Sequence, residues 1–133
     1  MKYEHDMNSE FKEIFKKLEK ILLSFPNIKV KMNEHQTSYY DEYKTIVMLR
    51  NSNDKQYFVS SWGNGIKLEE KFQDFSGDGK IVRHMHFKTI KDVDERLIRT
   101  IIEESMILNI EYYELQKLKK DNKKYNTQKL HIN

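Results

Sequence analysis

The chain has 133 residues, a length that favours one domain with a core of its own. Hydrophobic residues make up 38% of it, charged residues make up 34%, and it has no cysteine. The lack of cysteine excludes disulfides, thiolate catalysis and cysteine-based metal centres. No apolar run approaches the roughly 20 residues that a membrane-spanning helix needs, and no signal peptide is recognisable. We therefore expect a cytoplasmic protein with no membrane partner.

The positive charge is concentrated in one segment. The formal net charge is +3, but residues 117–133 contain six lysines and one aspartate. Residues 1–116 contain 18 basic and 20 acidic side chains, so a basic face for nucleic acid is not expected there. We predict a single domain over residues 1–118 and a basic, disordered tail over residues 119–133.

The first half of the chain predicts one helix followed by strands. Apolar residues recur three and four positions apart over residues 9–23, which predicts an amphipathic helix. Alternating residues over 28–32 predict a strand with one wet face. Residues 33–42 are polar and aromatic and predict a loop or a bent edge strand. Residues 43–50 predict a central strand.

The next segment predicts further strands joined by turns. Residues 56–62 alternate as a strand, and Asn64-Gly65 is typical of a two-residue hairpin turn with positive φ angles. A short returning strand is expected within residues 66–75. A turn at Gly77-Asp78-Gly79 then leads into a strand over residues 80–87.

The last predicted element is a helix. Asp92-x-x-Glu95 resembles a capping box at its start, a break or a bend is expected near Asn109, and the apolar periodicity ends near Lys119. The order of helix, strands and helix predicts an α+β fold, with an antiparallel sheet of about five strands and both helices on one face.

A pair of histidines is the sharpest candidate for metal chemistry. On a strand, His84 and His86 share a face about 6.6 Å apart along the chain, so two imidazoles could reach one metal ion. A third ligand would come from Glu34, from His35 or from a tyrosine within residues 39–43. The alternative is that both histidines are polar residues on a wet sheet face.

Other clusters allow a chemical and a structural interpretation. Gly77-Asp78-Gly79-Lys80 lacks the spacing of a phosphate-binding loop and leads into a strand, which favours a tight turn. Trp62 and Tyr40 could form an exposed face that stacks bases, or could belong to core aromatic pairs. No nucleophile or carboxylate pair indicates an enzyme.

Several short motifs suggest a family. Gly65-x-x-Leu68, Gly77-x-Gly79-Lys80, Arg83-His84 and an acidic helix start at residues 92–94 resemble the YdhG-like family of small bacterial domains. Many of its members have no assigned function, and the group is described as frataxin-like. The resemblance covers residues 57–109.

The resemblance implies a frataxin-like sandwich and, in at least one branch, an intracellular iron chaperone that supplies iron–sulfur cluster and haem assembly. Iron would then be the cargo, and iron–sulfur or haem assembly proteins the partners. We expect a monomer or a homodimer without enzymatic activity. A second hypothesis is a protein-interaction module without metal, which docks partners on the open sheet face or the C-terminal helix. A third is nucleic-acid binding through the basic tail and an aromatic sheet face.

Overall fold

Five antiparallel strands form one sheet, in which each strand pairs with its neighbours in the chain. In the computed structural model, which describes the backbone of residues 1–132 and the side chains of residues 1–126, the sheet order is β1-β2-β3-β4-β5. The strands are β1 Lys29–Met32, β2 Thr37–Tyr40, β3 Thr45–Asn51, β4 Phe58–Trp62 and β5 Arg83–Phe87. The predicted α+β fold with an antiparallel sheet and helices near both ends is confirmed.

Four α-helices accompany the sheet. They are α1 Lys2–Met7, α2 Lys12–Leu23, α3 Gly65–Glu69 and α4 Glu95–Ile132. Helix α2 buries the apolar stripe predicted from its spacing, and the Phe15 ring lies 5.1 Å from the Phe58 ring of the sheet. Helices α2 and α4 contact each other over the core, which leaves the other face of the sheet open. Among the described residues, no helix is both long and apolar enough to cross a membrane.

Strand β2 lies inside the sheet, where the sequence predicted a loop or a bent edge strand. It pairs with β1 on one side and β3 on the other. Tyr39 is fully buried, and its hydroxyl donates to Glu19 of α2 at 2.5 Å. Tyr3 donates to the other carboxylate oxygen at 2.7 Å. Burial and the bond to Glu19 raise the pKa of Tyr39, and raise that of Tyr3 to about 12.

The predicted hairpin at Asn64-Gly65 is wrong. Gly65 is the first residue of helix α3, and the predicted returning strand starts inside that helix. The glycine is required by a close approach: a Cβ atom at residue 65 would lie 2.1 Å from the backbone nitrogen of Arg83. Positive φ occurs instead at Gly77, at 116°, where the chain turns back toward β5.

Helix α4 starts later and runs further than predicted. The Asp92 carboxylate closes a short 3-10 turn by accepting the Thr89 backbone N–H, and Asp94 caps α4 by accepting the Leu97 N–H at 3.1 Å. The helix is continuous through Asn109, so the chain does not break there, and its backbone is helical through Ile132. Asn133 lies outside the described residues. The division into a domain over 1–118 and a basic tail over 119–133 stays a prediction.

Candidate interaction surface

The two predicted histidine ligands lie on the open face of the sheet. The register places His84 opposite Ser61 and His86 opposite Val59. His84 Nδ1 and Ser61 Oγ share a hydrogen bond of 2.8 Å, and the His86 ring stands edge-on to Tyr57 at 5.4 Å. Burial is the largest cause that lowers the pKa of His84, and nearby positive charge lowers it further. Its imidazole is therefore neutral at pH 7.

These histidines supply two ligands for a metal ion but not a complete metal site. Their ring centroids lie 6.4 Å apart, whereas two imidazoles on a tetrahedral ion at about 2.1 Å have centroids about 5.2 Å apart. The third predicted ligand, His35, is exposed in the connection between β1 and β2, where its backbone N–H donates to Asn33 Oδ1. The described residues contain no group of three His, Cys, Asp or Glu side chains suited to holding a metal ion.

The two aromatic residues predicted for an exposed interaction face have different environments. Trp62 is 1% exposed, its indole N–H donates to Ser60 Oγ at 2.9 Å, and its ring packs edge-on against Phe75. It therefore belongs to the core and not to an exposed stacking face. Tyr40 is half-buried at the edge of a shallow polar depression beside Asp41 and Glu42.

The motif residues behind the family resemblance assemble around Arg83. Its backbone packs against Gly65, its Nε donates to Glu69 at 2.9 Å, and its Nη1 donates to the Gly79 carbonyl oxygen. Leu68, one turn along α3, is fully buried. These contacts hold α3 and the following loop against β5.

Gly77 and Lys80 complete the motif on the loop itself. Gly77 approaches the His84 ring, so a Cβ atom there would lie 3.1 Å from its Cδ2. Lys80 is exposed. Together with the contacts of Arg83, this arrangement assigns the motif to packing.

A cleft of about 430 Å³ separates α4 from α3 and its following loop. It is lined mainly by apolar side chains, with two lysines, one asparagine and one glutamate at its margin: Lys44, Asn64, Ile66, Lys67, Ile81, Leu108, Glu111, Tyr112 and Leu115. The ammonium of Lys44 lies 4.7 Å from the centre of the Tyr112 ring. The cleft is thus mainly apolar and carries charges of both signs, from the two lysines and Glu111.

A buried polar network fastens α4 beside this cleft. Asn109 is 0% exposed, accepts a hydrogen bond from Asn64 Nδ2 at 2.8 Å and donates one to Asp41 Oδ2 at 3.1 Å. Lys44 Nζ donates to Asn64 Oδ1 at 3.3 Å. Because these side chains come from three separate parts of the chain, the network fixes the position of α4 on the end of the sheet.

Helix α4 consists of two halves with opposite surroundings. Residues 95–109, the packed half, bury side chains against the sheet and α2, and Asn109 is the last buried residue among the side chains that the structure describes. Residues 110–126, the exposed half, extend about 25 Å further at 1.5 Å per residue, and every side chain in it is exposed. Of the thirteen large apolar side chains that are exposed in the described part of the chain, seven lie on α4: Ile107, Ile110, Tyr112, Tyr113, Leu115, Leu118 and Tyr125.

The sequence interpretation missed both features of α4. Asn109 lies eleven residues after Ile98 and seven after Ile102, about three and two helical turns, so it occupies the same helical face, and this spacing is the signal for a buried asparagine. Leu118 and Tyr125 lie three and ten residues after Leu115, so an apolar spacing continues into the lysine-rich segment where the periodicity was expected to end and disorder was predicted. Comparisons of the chain with protein-family models, curated proteins and solved structures found no match.

Proposed function

We propose that this chain is a protein-interaction module that docks a helix of a partner on the exposed half of α4. The observation that carries the proposal is the concentration of uncovered apolar side chains on that half, beyond the last buried residue of the domain. Leu115, Leu118 and Tyr125 are 49%, 64% and 61% exposed. A contiguous apolar stripe of this kind marks an interaction surface.

The physics of isolated helices supports the proposal. A helical segment without tertiary packing is only marginally stable in water, and most helices in proteins are held by an amphipathic face that is covered. The first turns of the exposed half still touch the domain, because the Tyr113 ring lies 5.0 Å from the Tyr43 ring and Leu115 lines the cleft. Leu118 and Tyr125, further along the helix, are the more exposed apolar residues, at 64% and 61%. A docked helix would bury the apolar stripe and leave Lys117, Lys120 and Lys124 in water.

Site-specific photo-crosslinking in cells tests the proposal. A photoreactive phenylalanine derivative replaces Leu118 on the apolar side of the exposed half, Lys120 on its other side, or Lys31 on the open sheet face; all three positions are exposed. We expect covalent protein adducts from position 118 and few from position 120. No adduct from 118 would reject the proposal. Adducts only from position 31 would move the docking surface to the sheet.

The iron-handling role that the YdhG-like resemblance implies stays a prediction, as do the cytoplasmic location, the lack of enzymatic activity and the low expectation of nucleic-acid binding. Anaerobic calorimetric titration of Fe²⁺ into the chain and into the double variant His84→Ala, His86→Ala tests the metal. Micromolar binding that is lost in the variant would assign the site to the histidine pair. Equal binding in both would assign it elsewhere, and no binding would remove the iron role.

A further inference from the structure

We infer that the partner helix is α4 of a second copy of this chain, aligned in parallel. This inference rests on the proposed function, because it names the occupant of the same surface. Leu115, Leu118, Asn122 and Tyr125 are spaced three, four and three residues apart, which is the spacing of alternating a and d positions in a coiled coil. All four side chains are exposed.

The direction of this seam leaves room for a second helix. At about 100° per residue, the buried residues of the packed half, such as Ile98, Ile102 and Asn109, lie within a narrow arc that faces the sheet. The four seam residues centre about 140° away from that arc. A second helix would therefore approach α4 from the side opposite the core of its own domain.

One polar residue in the seam indicates an ordered pairing. Asn122 occupies an a position between the apolar residues Leu118 and Tyr125. In a parallel pair the two Asn122 side chains lie opposite each other and can exchange hydrogen bonds, whereas any shift of register would place each amide against an apolar group. A polar residue at one a position is a known means of specifying register.

Charge complementarity selects the second copy and the parallel orientation. Glu114 occupies the g position before the seam, and Lys119 occupies the e position that a parallel partner places beside it. Two-fold symmetry forms this ion pair twice. In an antiparallel pair the g positions face each other, which would bring Glu114 and Asp121 together. Like charges would oppose that arrangement.

Analytical ultracentrifugation over a wide concentration range tests the inference. The seam has only four layers, so we expect a reversible dimer that forms as concentration rises. Leu118→Glu should weaken dimerisation at least about tenfold, because it places a charge in the seam. The matched control Gln116→Glu adds the same charge on an exposed position outside the seam and should leave the dissociation constant nearly unchanged. A dimer insensitive to Leu118→Glu would overturn the seam.

Charge exchange tests the orientation. Glu114→Lys and Lys119→Glu should each weaken the dimer about two- to fivefold for every ion pair lost, and the double variant should restore it. Leu118→Cys should form an intermolecular disulfide readily, since a d position faces its own copy only in the parallel pair and the chain has no other cysteine. Failure of both charge rescue and disulfide formation in a dimeric protein would overturn the parallel arrangement.

The failure of this inference is distinguishable from the failure of the proposed function. A chain that stays monomeric at the highest concentration, together with crosslinks from position 118 to a different protein, overturns self-association and leaves the docking surface in place. A monomer without any crosslinks from position 118 overturns both. If every adduct from position 118 has twice the mass of the chain, the result supports both self-association and the docking surface.

Discussion

The packed and exposed halves of α4 have the same backbone conformation but different reasons for it. In the packed half, Ile98, Ile101 and Ile102 are at most 1% exposed and tie the helix to the sheet. In the exposed half, the apolar residues Leu118 and Tyr125 are 64% and 61% exposed. One continuous helix can therefore close the core with its first half and present a surface with its second half.

The two halves should differ most in the free energy of unfolding that is lost when a large apolar side chain is removed. Ile101→Ala deletes a fully buried side chain and should lower the free energy of unfolding by about 2–5 kcal/mol, through lost burial and the cavity left behind. Leu118→Ala, the matched control in the exposed half, should change it by less than about 0.5 kcal/mol, because Leu118 is 64% exposed. Urea unfolding at low protein concentration measures both. Equal losses would show that the two halves are packed alike.

Two asparagines on α4 provide a polar version of the same contrast. Asn109→Ala should cost about 1–3 kcal/mol, because the amide of Asn64 and the carboxylate of Asp41 lose a buried partner. Asn122→Ala should leave the stability of the monomer unchanged, since Asn122 is exposed. Thermal unfolding of the two variants beside the unaltered chain gives the comparison. A neutral Asn109→Ala would mean that water satisfies the network equally well.

Lowering the pH should reduce the stability of the sheet and leave the exposed half unaffected. The folded state lowers the pKa of His84 below its ordinary value, so the unfolded chain takes up the proton more readily. Stability is therefore lost as pH falls below about 6.5 and is independent of this group above that pH. His84→Gln should flatten this part of the pH profile of unfolding. An unchanged profile would contradict the assignment.

Shortening the chain to residues 1–117 should have the smallest effect on stability. The removed residues bury no side chain among those described, so the free energy of unfolding should stay within about 0.5 kcal/mol while the helical circular dichroism falls. Full-length chain at the same low concentration is the control. A marked loss of stability would indicate that the removed segment packs against its own domain.

The sequence was sufficient for those parts of the fold that depend on local periodicity. The apolar stripe of α2 was predicted correctly, because one covered face leaves a strict spacing. Strands were also predicted where β3, β4 and β5 lie, although all five residues of β4 are buried and the strand predicted over residues 80–87 begins only at Arg83. The α+β class follows from the order of these elements.

The failures arose where a residue is required by a distant contact. Gly65 is a glycine because Arg83, eighteen positions away, approaches it closely and not because of a hairpin turn. Asn109 was predicted to break or bend α4, but tertiary hydrogen bonds to Asp41 and Asn64 satisfy it inside a continuous helix. Whether His84, His86 and His35 bind a metal is likewise a question of three-dimensional distances that spacing does not contain.

The sequential order of the sheet has a consequence for how the chain acquires its structure during synthesis. Each strand pairs with its neighbour in sequence, so β1 to β4 can form local contacts as soon as they are made, with little loop-closure entropy. The buried side chains of α4, however, are translated after all five strands. Until they emerge, part of the apolar face of the sheet stays exposed. Chaperones can bind such a surface on the nascent chain.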